Sequence, residues 1–252
     1  MTSVAQVLDA VRRRTSLPQP AMVLVAHPDD EVLGLSVLLS RFTDLTLVHA
    51  TDGAAGGDRD QRLDELDAAL KALGVNVQRH VQLYLPDGQL AANLTQLMDR
   101  LSGIWDDHEL IVTHAYEGGH PDHDCCAVAV NTLRRAVSDK PCLAFPIYAL
   151  GPAGIVKNRF VRKPAEAIDI ALTATEKDEK RRALAEFVSQ AHVVAAFDLT
   201  SEAIGSADVF DPSIVRNASD VLFSRGDQSV CNVWHDAMMA GLLQLSPDKK
   251  RS

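Results

Sequence analysis

The sequence predicts an α/β fold: a Rossmann-like, mostly parallel sheet flanked by helices, with a C-terminal elaboration. Two observations carry this. Short apolar runs alternate with longer amphipathic runs through the first two thirds of the chain, the pattern of buried strands covered by helices. The length of 252 residues, with 46% hydrophobic and 23% charged content, suits one such domain with a substantial core.

The elements follow in order. Met1 to Arg14 places Val4, Val7, Leu8 and Val11 at helical spacing. Ala21 to Ala26 reads as a buried strand and Leu33 to Phe42 as a helix. Leu45 to Ala50 is a second strand. Asp58 to Leu73 is a helix stopped by Gly74, a residue suited to the left-handed turn that ends helices. Val81 to Leu85 is a third strand and Leu90 to Trp105 a third helix. A strand at Leu110 to Thr113, a helix at Asp122 to Val137 and a strand at Leu143 to Ala149 complete the alternation.

After Gly151 the pattern changes. Val156 to Leu172 reads as a strand pair or irregular arm, and Thr175 to Ala191 as a helix. Gly205 to Gly226 is turn-rich, Asp227 to Leu245 is a last helix, and Ser246 to Ser252 is a polar, frayed tail. No repeat or linker divides the chain. It is read as a single domain over 1–252, with a core at about 21–191 and an elaboration at about 192–245.

Composition excludes several classes. A net charge of −9 argues against a nucleic-acid partner, which needs a basic face. No apolar run approaches the roughly 20 residues of a membrane span, and the N-terminus lacks the apolar stretch of a signal peptide. The four cysteines, Cys125, Cys126, Cys142 and Cys231, form no CxxC pair. That disfavours a disulfide framework or a thiolate zinc site and predicts a reducing, cytoplasmic compartment.

Two motifs carry chemistry. Ala26 to Glu31, AHPDDE, follows the first strand directly, and His120 to Asp124, HPDHD, follows the strand at Leu110 to Thr113. In an open parallel sheet, ligands bind at the carboxyl ends of strands. Helix capping explains acids in a first turn, but not a histidine beside three of them. His27, Asp30 and His123 would make a site of two imidazoles and one carboxylate, the ligand types of catalytic zinc. Iron(II) fits the same set, and spacing does not separate the two. Asp29 and His120 remain beside the open position, where a carboxylate can take a proton from water and a histidine can polarise a carbonyl.

AHPDDE followed by HPDH resembles the PIG-L/LmbE-like metal-dependent N-deacetylases. Thr51 to Gly53, Arg62, Glu65, Leu66, Leu73 and Gly74 are similar to that family's segment after its second strand, and Ser189–Gln190 to its later helix. The resemblance spans about residues 21–191. It implies that His27, Asp30 and His123 hold zinc and that Asp29 is the general base. It also implies that His120 stabilises the oxyanion and assists departure of the amine, and that Asp122 orients His120. Arg62 and Asp87 would contact the sugar. The alternative for Arg62 is a solvated helix residue paired with Glu65 or Asp58; for Asp87 it is a plain turn residue.

The remaining candidates are read as structural. His114 is read as a polar strand end, with a supporting role behind the ligands as the alternative, His49 as a hydrogen-bonded core histidine, and His108 as part of a solvated loop. Gly53, Gly56 and Gly57 lack the spacing of a phosphate cradle. Tyr116 to Gly119 gives a flexible approach to His120. The C-terminal third, Leu199 to Arg225 in particular, departs from the family pattern.

The function expected is removal of acetyl from a small N-acetylglucosamine-type conjugate. The alternatives are cleavage of another C–N bond, as in a thiol conjugate, or a non-catalytic metal- or sugar-binding module. A small N-acetyl sugar is the expected partner, and the sequence leaves room for a homo-oligomer.

Overall fold

The computed structural model describes residues 2–54, 57–138, 140–207, 210, 213 and 216–244. Gly56, Leu245 and the tail at Ser246 to Ser252 lie outside them. Helix α1, Val4–Arg13, opens on a reciprocal cap in which Ser3 Oγ accepts from Gln6 N and the Gln6 side chain accepts from Ser3 N. It buries Val7, Leu8 and Val11, as the spacing predicts. Then follow β1 (Ala21–Val25), α2 (Asp30–Leu39), β2 (Leu45–Thr51), α3 (Arg59–Leu73), β3 (Arg79–Leu85) and α4 (Leu94–Ser102). The second half runs β4 (Leu110–His114), α5 (Pro121–Ala136), β5 (Cys142–Phe145), β6 (Tyr148–Gly151), β7 (Gly154–Lys157) and β8 (Ala167–Ala171). It closes with α6 (Ala174–Ala185), α7 (Ala191–Val194), β9 (Ser201–Ser206) and α8 (Gln228–Gln244).

Seven strands form one sheet in the order β3-β2-β1-β4-β5-β9-β8. The first five are parallel, and β9 runs antiparallel to both β5 and β8. This is the α/β fold the alternation predicts. Alternate residues of β1 serve opposite faces. Val23 and Val25 pack with residues of α1, α2, α3 and α6, while Met22 and Leu24 pack with α4, α5 and α8. Helices cover both sides, so the central strands are buried throughout. The chain turns outward in opposite directions from β1 and β4, which are neighbours with Ala21 opposite Leu110. Their carboxyl ends form the crevice where such sheets bind ligands, and both motifs begin there.

Several elements differ from the sequence expectation. The apolar run Leu143 to Ala149 is two strands, because Pro146 interrupts it and β6 leaves the sheet to pair with β7 as a separate hairpin. The segment Val156 to Leu172 therefore supplies β7 and β8 to different sheets. Strand β9 lies partly in the stretch read as turn-rich, yet it joins the main sheet between β5 and β8. The expected helix over Thr175 to Ala191 ends at Ala185 and continues as a 3-10 turn and α7. His108 is not solvated: it is buried, with Nδ1 2.9 Å from the Ile104 carbonyl and Nε2 2.8 Å from Thr46 Oγ1.

Helix α2 is broken at Leu35, where φ is −133° and ψ is 15°. A buried polar set repairs the break. Glu202 on β9 accepts from Ser36 N at 2.9 Å and Val37 N at 3.1 Å, satisfying the new helix start. Lys180 donates to the freed Leu33 carbonyl and to Glu202 Oε1, both at 2.6 Å, and Asn158 donates to Leu33 as well. Gly34 at the break lets the helix press on Phe145, since an added Cβ would collide with that ring. All four cysteines are free and buried. Among the described residues, no helix is long and apolar enough to cross a membrane.

Candidate metal and catalytic site

The crevice gathers residues from three strand ends. Asp30 is the centre: its Oδ2 lies 3.3 Å from His27 Nδ1 and 3.2 Å from His123 Nε2. Donor atoms about 2.0–2.2 Å from a tetrahedral ion sit about 3.3–3.6 Å from each other. Each of these two separations fits such an ion, but among the described residues His27, Asp30 and His123 do not form one group of mutually close donor atoms. His27, His120 and His123 form one such group, and Asp30, His114 and His123 another. A further group joins His27, Asp87 and Asp122.

Hydrogen bonds distinguish these residues. His114 Nε2 accepts from Ala26 N at 3.0 Å, which occupies its lone pair and places the proton on Nδ1. His114 is therefore a support: its ring stacks on His123 at 4.0 Å and 2°, and its Nε2 lies 3.4 Å from Asp30 Oδ2. That corrects the reading of His114 as a mere polar strand end. No periodicity could have shown it, because the contact depends on the β1–β4 pairing.

Asp122 faces a different partner from the one expected. Its carboxylate accepts from Gly88 N at 2.7 Å and Leu90 N at 3.0 Å, and its Oδ2 lies 3.4 Å from His27 Nε2. What holds His120 is the Asp122 backbone, whose N–H donates to His120 Nδ1 at 3.2 Å as the α5 cap. The neutral ring then carries its proton on Nε2. Asp87 belongs to the turn that Asp122 pins, and its Oδ1 lies 3.2 Å from His27 Nε2.

Asp29 has φ 131° and ψ −29°, a region disfavoured for any residue with a Cβ. Glu31 Oε2 accepts its N–H at 3.3 Å. Arg62 is buried rather than solvated. It donates to the Pro28 carbonyl and stands 3.3 Å from Asp29 Oδ2, not paired with Glu65 or Asp58. Glu65 instead accepts from Ser189 N and Oγ, which brings the Ser–Gln segment to α3. Gly53 makes room for the guanidinium: it has φ 60°, and a Cβ there would press on Pro28 and Arg62. His49 is the core histidine its strand predicts, 3.2 Å from Glu31 and 3.0 Å from His80. Tyr148, which the sequence reading did not single out, sits with its ring 5.5 Å from that of His123.

The electrostatics follow from burial. Burial pushes the Asp29 carboxyl up to about 8, with Asp30 adding and Arg62 opposing. Burial also opposes ionisation of Asp30, but His123 and His114 outweigh it and hold that carboxyl well below the usual range. Burial lowers His120 to about 3, and neighbouring His27 and His123 add to the shift. His123 falls to about 4 for the same first reason, against the pull of Asp30. For His27, burial is outweighed by bonding to Asp122, Asp30 and Asp87, which raises it well above the ordinary value. The site thus pairs a carboxyl poised to exchange a proton with a neutral imidazole donor.

Residues 22–133 match the PIG-L family, described as GlcNAc-PI de-N-acetylase. Among curated proteins no relative matches. Among solved structures, the chain is similar to a conserved protein from Thermus thermophilus at 20% identity, covering 77% of this chain and 96% of that one, with a TM-score of 0.54. A deacetylase of the teicoplanin biosynthesis pathway is similar at 19% identity over 73% and 97%, TM-score 0.54. A zinc-inhibited form of teicoplanin deacetylase is similar at 17% identity over 73% and 97%, TM-score 0.53. These likenesses show the fold. The part that the PIG-L family model matches, residues 22–133, contains both motifs.

Proposed function

We propose that the chain is a metal-dependent N-deacetylase of a small N-acetylglucosamine-type conjugate, formed by residues 1–252 as a single domain. The observation that carries this is the placement of Asp30 Oδ2 within 3.3 Å of two imidazole nitrogens, with Asp29 and His120 beside them. His27, Asp30 and His123 would hold the ion, zinc or iron(II). Such an ion supplies Lewis acidity for the acetyl carbonyl and lowers the pKa of water. The remaining work belongs to the chain. Asp29 takes the proton as the water oxygen bonds to the acetyl carbon. His120 donates Nε2–H to the developing oxyanion. The C–N bond then breaks, Asp29 returns its proton to the leaving amine, and the products are acetate and the free amino sugar.

Asp29 carries the proton to the leaving amine, and His120, which burial keeps neutral, assists that departure through its Nε2–H. Arg62 holds Asp29 in place, and its Nε and Nη1 have no partner among the described residues, which suits donation to a sugar hydroxyl. Asp87 orients His27 and borders the sugar. The description of the family and the deacetylase neighbours support the acyl group proposed. The test is amine release from N-acetylglucosamine and simple N-acetylglucosaminides, compared with N-acyl thiol conjugates. Release from the sugars alone is expected. Cleavage of the conjugates alone would replace this reading with the amidase one, and metal binding without any cleavage would favour a binding module.

A further inference from the structure

The loop leading into His120 is pinned from a part of the chain outside the family match. Asp124, one turn into α5 and 1% exposed at its side chain, accepts from Glu117 N at 3.1 Å and Gly118 N at 3.0 Å through Oδ1. Its Oδ2 pairs with Arg216 Nη1 at 3.1 Å. Arg216 Nη2 turns back to the Glu117 carbonyl at 2.8 Å, and Leu222 N donates to the Gly118 carbonyl at 2.7 Å. Every backbone polar group of Glu117 and Gly118 is therefore held, two residues before His120. Gly118, at φ 74°, has no Cβ to block the guanidinium, which an added Cβ would meet at 2.7 Å. Arg216 also lies over the Tyr116 ring, 4.9 Å from its centroid.

We propose that Arg216 is a positioning residue for His120, acting through Asp124 and the Glu117–Gly118 backbone. The inference rests on the proposed deacetylase reading for its kinetic consequence and on geometry alone for its structural one. A planar guanidinium holds a carboxylate and a carbonyl in one rigid fork, whereas the ammonium of a lysine is a freely rotating point charge that fixes their relative direction less well. The bridge fixes the entry angle of the loop and so the direction of His120 Nε2–H. Displacement of a catalytic group by about 1 Å costs on the order of 100-fold in rate. Arg216 also borders a cavity of about 1030 Å³ lined by Tyr116, Phe160 and Phe210, so a small cation in solution can reach its place.

The test is Arg216→Ala in the metal-loaded protein, with Arg216→Lys beside it. In Arg216→Ala, kcat is expected to fall about 10- to 100-fold, with bound metal and KM little changed. Added guanidinium should restore part of that loss, and Arg216→Lys should recover less. A second readout does not depend on turnover: hydrogen exchange at the Glu117 and Gly118 amides should quicken, and the His120 ring nitrogen resonances should move. If the wild-type chain deacetylates none of the sugars, the functional reading fails, and the exchange and ring resonances still decide this inference. Unchanged exchange and resonances in Arg216→Ala overturn it, as does an unchanged kcat. A kcat loss that guanidinium does not relieve and that accompanies lost metal or a collapsed Tm overturns it too.

Discussion

Asp29 combines a strained backbone with a buried carboxyl, and the two observations reinforce one another. Its φ of 131° costs on the order of 1–3 kcal/mol and persists only where surrounding contacts fix it. Those contacts are Glu31 on its N–H and Arg62 on its carboxylate. Asp29→Asn keeps the shape and removes the proposed base. It should lower kcat by about 100- to 10,000-fold while leaving the metal content of the purified protein unchanged; lost metal would mean that Asp29 is itself a ligand. Arg62→Met should raise KM and lower kcat, since the residue touches Asp29 and, in the proposed reaction, borders the sugar. A change in KM alone would reduce it to a sugar contact. At this scale the sequence was informative where chemistry is dense. A histidine beside three acids at a strand end marks a site whatever the partners are. Arg62 was legible as a candidate sugar contact but not as the partner of Asp29, and the contacts of His114 and Arg216 were not legible at all, because they join distant segments, which residue spacing does not encode.

The broken helix α2 shows how an element can depend on residues far away in sequence. Its apolar stretch predicts a helix, and a helix forms, but Leu35 leaves the helical region. The freed groups are satisfied by Lys180 on α6 and Glu202 on β9, both buried. Removing one member of such a pair strands a buried charge, at a cost of about 3–5 kcal/mol. Lys180→Met should therefore lower the denaturation midpoint by that equivalent, and Glu202→Gln in the same chain should recover part of the loss. Additive losses in the double variant would contradict the pairing. Because α2 begins at Asp30, the single variant should also weaken metal retention. The parallel strands and their helices were readable from periodicity. Strand β9 was not: it is short and flanked by turn residues, and its place is set by the open edge of β5.

The whole molecule is organised around the β1–β4 junction, where the strand order places both motifs at adjacent carboxyl ends. The alternation of strands and helices predicted that both motifs sit at the same end of one sheet; the adjacency of β1 and β4 is a matter of strand order, which alternation does not encode. The C-terminal additions were less readable, because β8 and β9 extend the sheet in antiparallel sense and α8 packs on the α4 face. Acid sensitivity also belongs to this scale. His108 ties the turn before β4 to Thr46 on β2, and burial lowers its pKa below the ordinary 6.5. A depressed histidine stabilises the fold fully above the unfolded pKa, and that contribution is lost as pH falls through the folded value. The wild-type Tm should accordingly fall below about pH 6.5 more steeply than that of His108→Gln, read by calorimetry at matched ionic strength. Parallel pH profiles would contradict the assignment.

In the proposed reaction both motifs converge on one ion that hydrolysis requires. The most direct test is amine release from N-acetylglucosamine by chelated protein, before and after stoichiometric zinc or iron(II) is restored, with bound metal quantified in the same samples. The structure predicts no release after chelation, recovery at one ion per chain, and no ion retained by a variant carrying His27→Ala and His123→Ala together. Release that persists in fully chelated protein, or an ion still bound after both histidines are removed, would contradict it.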